Sequence, residues 1–130
     1  MIMRADEPSL DDMEYMARAE FAALPEEFRT LTGDIMFVLA EEAETKTLEQ
    51  LGAAQATQLL GLYQGAPLAA RLANMAGPEP SMIFLFRRPI LHYAQQQRLA
   101  VTAVLRHVLI HEIGHHFGLS DETMARLAGN

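Results

Sequence analysis

The 130-residue chain contains no cysteine. Disulfides, thiolate catalysis and cysteine-ligated zinc are therefore excluded, and any transition-metal site must be built from histidine and carboxylate. Lysine is nearly absent: Lys46 stands alone against nine arginines. With the abundant alanine, this composition suggests a GC-rich bacterial genome. Long apolar runs are missing too. No stretch reaches the roughly 18 apolar residues of a membrane-spanning helix, and the N-terminal MIMRADEPSLDD lacks a signal-peptide core. The expected location is the cytoplasm. Basic clusters are lacking as well, with 10 bases against 17 acids and a net charge of −7. Phosphate attraction dominates nucleic-acid affinity, and anionic lipid makes a similar demand, so neither is an expected partner. The acids are uneven: residues 1–50 hold 13 acids and 4 bases, residues 51–130 hold 4 and 6. The acidic first half reads as a solvated surface.

What is present is half hydrophobic, at 50%, with 21% charged residues, as in an ordinary soluble protein. The length suits one domain over 1–130; no repeat or low-complexity linker divides it. Ser9 and Asp12 form a weak capping box ahead of Leu10, Met13, Met16, Ala17, Phe21 and Leu24 at helical spacing, so 9–24 reads as an amphipathic helix. Pro25 starts a second helix, 25–31, which Gly33 breaks. Ile35–Leu39 reads as a strand. Residues 41–60 are expected to be partly helical, Leu59–Gly65 a turn or short strand, and Gly77–Pro80 a loop, with 67–76 ambiguous. Met82–Phe86 reads as a buried strand ended by Arg87-Arg88-Pro89; a free edge on it would let a peptide pair by backbone hydrogen bonds. From Ile90 to Phe117 the pattern is helical, with a break expected near residue 95. Arg106 is the one fixed charge between Leu99 and Ile110, so that helix is expected in the middle of the domain. Gly118 stops it, and 122–127 is a last short helix. The fold class is α+β: helices packed on a small sheet.

Residues 111–121 read HEIGHHFGLSD. His111 and His115 lie one turn apart on one helix face, the geometry with which two imidazoles grip one metal ion. Glu112 is rotated about 100° from His111, too far for an obvious ligand, but placed to act as general base on a water at the metal. Gly118 can adopt positive φ and turn the chain back, which delivers Asp121 as third ligand. Three protein ligands leave the fourth position of a tetrahedral zinc open, as catalysis requires; zinc lowers the pKa of water held there to roughly 7. At this chain's own histidine and glutamate frequencies the H-E-x-x-H spacing arises by chance about 2% of the time. Two histidines and a glutamate in a buried helix are costly without partners.

With LLGLYQGAPL at 59–68, IFLFRRPI at 83–90 and VLIHEIGHHFGLSD at 108–121, the chain resembles the small bacterial zincin-like metallopeptidases, whose domain is a minimal metalloprotease-like one. The resemblance covers most of the chain and implies a compact α+β zincin fold. It also implies one zinc ion held by His111, His115 and Asp121, with Glu112 catalytic and a peptide or protein as substrate. Metzincins have a similar extended motif, usually with histidine where this chain has Asp121; a carboxylate there keeps the ligand count and lowers the charge on zinc. Metzincins also set a methionine turn beneath the metal. Met124, only three residues past Asp121, is not expected in that role. The alternative to a peptidase is a metal-bearing interaction or regulatory module of peptidase descent, with little or no turnover; a zinc hydrolase of small amides is a third reading.

Other residues near the motif invite roles. Tyr63 offers a phenol to stabilise an oxyanion, or else anchors a loop. Arg87 and Arg88 suit a substrate carboxylate, or else a solvated strand end. His107 shares the face of His111 and His115, but the outer pair's Cα atoms would lie about 12 Å apart, too far for one ion, so a packing role is expected. His116 reads as structural, and His92 has no local support for a role. Asp121 has a competing reading as N-cap of the helix that follows. Imidazoles must be neutral to bind zinc, so bound metal is expected to be lost as pH falls below about 6. Zinc content measured against pH checks this, and full occupancy at about pH 4 would refute a histidine-based site.

Overall fold

The computed structural model describes residues 7–52, 59–65 and 81–128. Among them six helices surround a three-stranded mixed sheet, the α+β class read from the sequence. The expectations for 53–58, 67–76 and the loop at 77–80 fall outside the described residues.

Helix α1, Leu10–Ala23, starts where expected. Ser9 accepts a hydrogen bond from the Asp12 backbone N–H at 3.1 Å, and the Asp12 carboxylate accepts one from the Ser9 N–H at 3.0 Å. The two orphan donors of the first turn are thus satisfied reciprocally. Met13, Ala17 and Phe21, spaced by four, form its buried stripe. Arg29 on helix α2, Glu26–Thr32, donates to the Ala22 and Leu24 carbonyls at 3.0 and 2.6 Å, tying off the end of α1. Gly33, at φ 63°, ends α2 and leads into strand β1, Ile35–Ala40.

After helix α3, Thr45–Leu51, come strands β2, Gly61–Gln64, and β3, Ser81–Phe86. The order is β1-β3-β2: β3 pairs parallel to β1 and antiparallel to β2. This corrects the edge expectation for residues 82–86. Their strand lies in the centre of the sheet, and its backbone groups are committed on both sides. Strand order depends on pairings remote in sequence, which a local apolar run does not encode. Register aligns Phe37 and Tyr63 with Ile83, and Leu39 and Gly61 with Leu85. That face meets α1, where the Phe21 and Phe37 rings meet edge to face at 5.7 Å.

The chain turns from β3 directly into helix α4, Arg87–Gln97. Pro89 does not merely stop the strand. It sits in the first turn of α4, where a missing N–H costs nothing. Arg87 anchors this corner, donating to the Pro8 carbonyl at 2.7 Å and to Glu41 at 3.0 Å. The break expected near residue 95 falls a few residues later and divides the stretch into two helices. Arg98 adopts the left-handed region at φ 56° and separates α4 from helix α5, Val101–His116. Val104, Leu105, Val108, Leu109, Ile110 and Ile113 make α5 the central helix of the core, as its composition implied.

Helix α5 approaches β2 at Gly61. A Cβ there would lie 2.7 Å from Val108 Cγ1 and 2.9 Å from the Phe84 carbonyl oxygen. The carbonyl belongs to the sheet and cannot swing aside. Gly61→Ala is therefore expected to cost about 1–3 kcal/mol, read as a lowered midpoint in urea at unchanged slope; an unchanged midpoint would show that α5 and β2 are not in such close contact.

Candidate metal centre

Successive turns of α5 set His107, His111 and His115 on one face. The His107 and His111 ring centroids are 4.1 Å apart, and those of His111 and His115 are 5.5 Å apart. His107 is exposed; the partial burial of its ring, with the His111 imidazole beside it, pushes its pKa below the ordinary value.

The turn after α5 does what its glycine suggested. Gly118 has φ 74°. The Leu119 N–H donates to the Gly114 carbonyl at 2.8 Å and the Gly118 N–H to the His115 carbonyl at 3.1 Å, the paired bonds of a Schellman turn. Helix α6, Asp121–Leu127, then runs back along α5. Its N-cap is Ser120, whose hydroxyl accepts from the Thr123 N–H at 3.0 Å. The capping role that competed for Asp121 is thus filled by its neighbour. Asp121 opens the helix instead, with its side chain 92% exposed and Oδ1 3.9 Å from His115 Nε2.

One buried contact holds α6 in place. A Cβ on Gly114 would collide with Met124 Sδ, so the absence of a side chain on α5 gives that sulfur its seat. Met124 is 1% exposed. This contact is not legible in the sequence, because it joins two helices across a turn.

Glu112 is half-buried on the flank of α5. Burial raises its pKa above the ordinary carboxylate value, and the His115 imidazole opposes this more weakly. One turn further on, His116 packs its ring against Tyr63 at 4.5 Å and Phe117 at 5.0 Å. Tyr63, on β2, is only 5% exposed. Among the described residues its ring packs against His116 and Phe117, and a Cβ on Gly65 would lie 3.0 Å from its hydroxyl. The structure thus brings His111, Glu112, His115 and Asp121 to one end of α5, whereas among the described residues the Tyr63 ring packs on His116 and Phe117. Arg87 is held by Pro8 and Glu41, Arg88 lies 3.9 Å from Glu42, and His92 lines a separate groove with both arginines.

Among the described residues, no three histidine or carboxylate side chains stand close enough together to hold a metal ion. The donor chemistry nevertheless suits zinc, which takes imidazole nitrogen and carboxylate oxygen in sets of three with one position open. The His115 side chain is 60% exposed and that of Asp121 92%, so both can reorient without disturbing the core. A family model described as zincin-like metallopeptidase matches residues 32–130. None of the curated proteins compared matches the chain.

The raised pKa of Glu112 has a consequence for the metal-free fold. The folded protein binds a proton there that the unfolded chain releases, so this site's contribution to stability is full below the unfolded carboxyl range. It declines as pH rises toward the folded pKa. Glutamine does not ionise. Metal-free Glu112→Gln is therefore expected to melt at a higher temperature than wild type at about pH 7, and at the same temperature near pH 4. Thermal melts at the two pH values check this; equal melting temperatures at both would show that burial does not disfavour the Glu112 charge.

Proposed function

The chain belongs to the zincin-like metallopeptidase family, and from that premise we propose that it is a zinc-dependent peptidase with Glu112 as general base. Members of this family normally bind zinc. His111, His115 and Asp121 are the residues that would hold the ion. Bound there, zinc would polarise the scissile carbonyl and acidify a water. The remaining chemistry falls to the chain's own groups.

Glu112 accepts the proton of the attacking water at a carboxylate oxygen and passes it to the leaving amine. In the metal-free fold burial raises its pKa, so it holds a proton more readily than an exposed carboxylate does. The observation that carries the reading is this half-buried carboxyl beside two histidines one turn apart, with the Asp121 carboxylate 3.9 Å from the second. Tyr63 and His116 support the arrangement from behind: their packed rings fix α5 against β2.

Glu112→Gln is expected to keep zinc and to lose peptide hydrolysis by at least about 100-fold; Asp121→Asn is expected to weaken zinc retention. Elemental analysis alongside a peptide-library digest measures both. Hydrolysis by Glu112→Gln at the wild-type rate would overturn the general-base assignment. A zinc-loaded wild type that yields no Glu112-dependent product would leave a metal-bearing interaction module.

A further inference from the structure

Two histidine pairs overlap on α5, and His111 belongs to both. The His111 and His115 ring centroids are 5.5 Å apart; those of His107 and His111 are 4.1 Å apart, with the rings tilted by 37°. With metal–nitrogen bonds of about 2.1 Å, two imidazoles on one ion set their ring centres about 5.3 Å apart at the tetrahedral angle and about 4.6 Å apart at a right angle. The wider pair stands near the first value, and the closer pair stands nearer the second. A right angle between neighbouring ligands is the geometry of Cu²⁺ and Ni²⁺, whose sites are square-planar or tetragonal. We propose that His107 and His111 form a second metal-binding pair, suited to a tetragonal ion such as Cu²⁺, and that an ion there excludes zinc from the candidate centre because the two sites share His111.

The pair is open to water and built in advance. His107 is exposed, and both rings line a groove of about 620 Å³ between α5 and α6. Water fills the positions that two imidazoles leave free on such an ion. Asp121 lines the same groove with its side chain 92% exposed, and its charge attracts a dication. Arg106, the cation in the lining, is engaged with the Ala128 carbonyl at 3.0 Å. Val104, Leu105, Val108 and Leu109 bury the other side of the helix, so the two histidines need little ordering when an ion arrives. Glu112 and His115 do not line this groove, and an ion held there lies away from the carboxyl read as general base. Sharing makes the sites exclusive. A neutral imidazole has one ring nitrogen free and carries a proton on the other, so His111 serves one ion at a time. His107 and His115 are two turns apart and cannot close on the same ion. Imidazole sites hold Cu²⁺ more tightly than Zn²⁺, so copper at this pair turns the candidate centre off. Binding at the pair stands without the peptidase reading; the exclusion of zinc rests on that reading's zinc site.

The test uses the full chain in a His92→Asn background, which removes the exposed histidine outside the two pairs. Cu²⁺ alone is titrated into metal-free His115→Ala protein, in which the His107–His111 pair is intact. Electron paramagnetic resonance is expected to show one tetragonal Cu²⁺ with nitrogen ligands. Adding His107→Ala is expected to weaken that binding by more than the roughly tenfold that loss of an outer-shell partner costs a metal site. Both replaced residues are exposed on α5, so alanine there leaves the core in place. Zinc-loaded protein with both pairs intact is expected to release one Zn²⁺ for each Cu²⁺ taken up, and His107→Ala to need at least about tenfold more Cu²⁺ for the same release. Equal Cu²⁺ affinity in His115→Ala with and without His107→Ala would overturn the pair. Zn²⁺ and a His107-dependent Cu²⁺ held together by one chain would overturn the exclusion. None of these readouts uses hydrolysis, so a chain that binds copper at the pair and cleaves no peptide upholds the pair and counts against the peptidase reading alone.

Discussion

Gly114 lacks a Cβ, and the sulfur of Met124 occupies the space that one would fill. This contact sets how closely α6 lies on α5, and much of the candidate site follows from it. With Met124 seated, the Schellman bonds from Leu119 to Gly114 and from Gly118 to His115 close the turn, Ser120 caps α6, and Asp121 arrives beside His115. A larger residue at 114 would drive α6 outward, and the carboxylate would move with it. One missing side chain thus links packing to chemistry.

The second constraint is the central place of α5. Its apolar residues meet α1, α4 and the sheet, so the helix cannot rotate without exposing Leu105, Leu109 and Ile113, all fully buried. Its polar faces are therefore fixed as well. The histidine face is held toward the groove, and Glu112 is held on a flank where burial disfavours its charge. Tyr63 closes the opposite side by packing on His116. A side chain on a helix whose rotation is fixed by the core has little freedom to misplace its reacting atoms, which is the condition for a preorganised site.

Legibility followed the range of the interactions. The Ser9–Asp12 box, the break at Gly33 and the positive φ of Gly118 are local, and the sequence displayed them. So is the one-turn spacing of His111 and His115. The break between α4 and α5 was expected near residue 95, but its place at Arg98 was not legible, because a residue without glycine's conformational signal takes the left-handed conformation there. Pro89 was ambiguous because proline serves equally after a strand and in the first turn of a helix. The central position of β3 and the seat of Met124 on Gly114 are contacts between segments apart in sequence. No periodicity records them. Ser120 and Asp121 are adjacent residues of which either can cap a helix, and hydrogen-bond geometry was needed to divide the roles.

The charge pattern takes on a different meaning beside this geometry. Residues 51–130 hold four acids, and two of them, Glu112 and Asp121, flank the histidine pair. Their environments are opposed. Glu112 is half-buried, with its ionisation disfavoured by burial, whereas the Asp121 side chain is 92% exposed. A carboxylate that must give up and take back a proton benefits from the first setting, because burial narrows the gap between its pKa and neutrality. A carboxylate that must turn onto a cation benefits from the second, because its rotamer is not locked by packing. The same functional group is thus given two environments nine residues apart, one by the core of α5 and the other by the open first turn of α6. That division argues for separate tasks more directly than the motif does, since a spacing of letters says nothing about which carboxyl the fold withdraws from water.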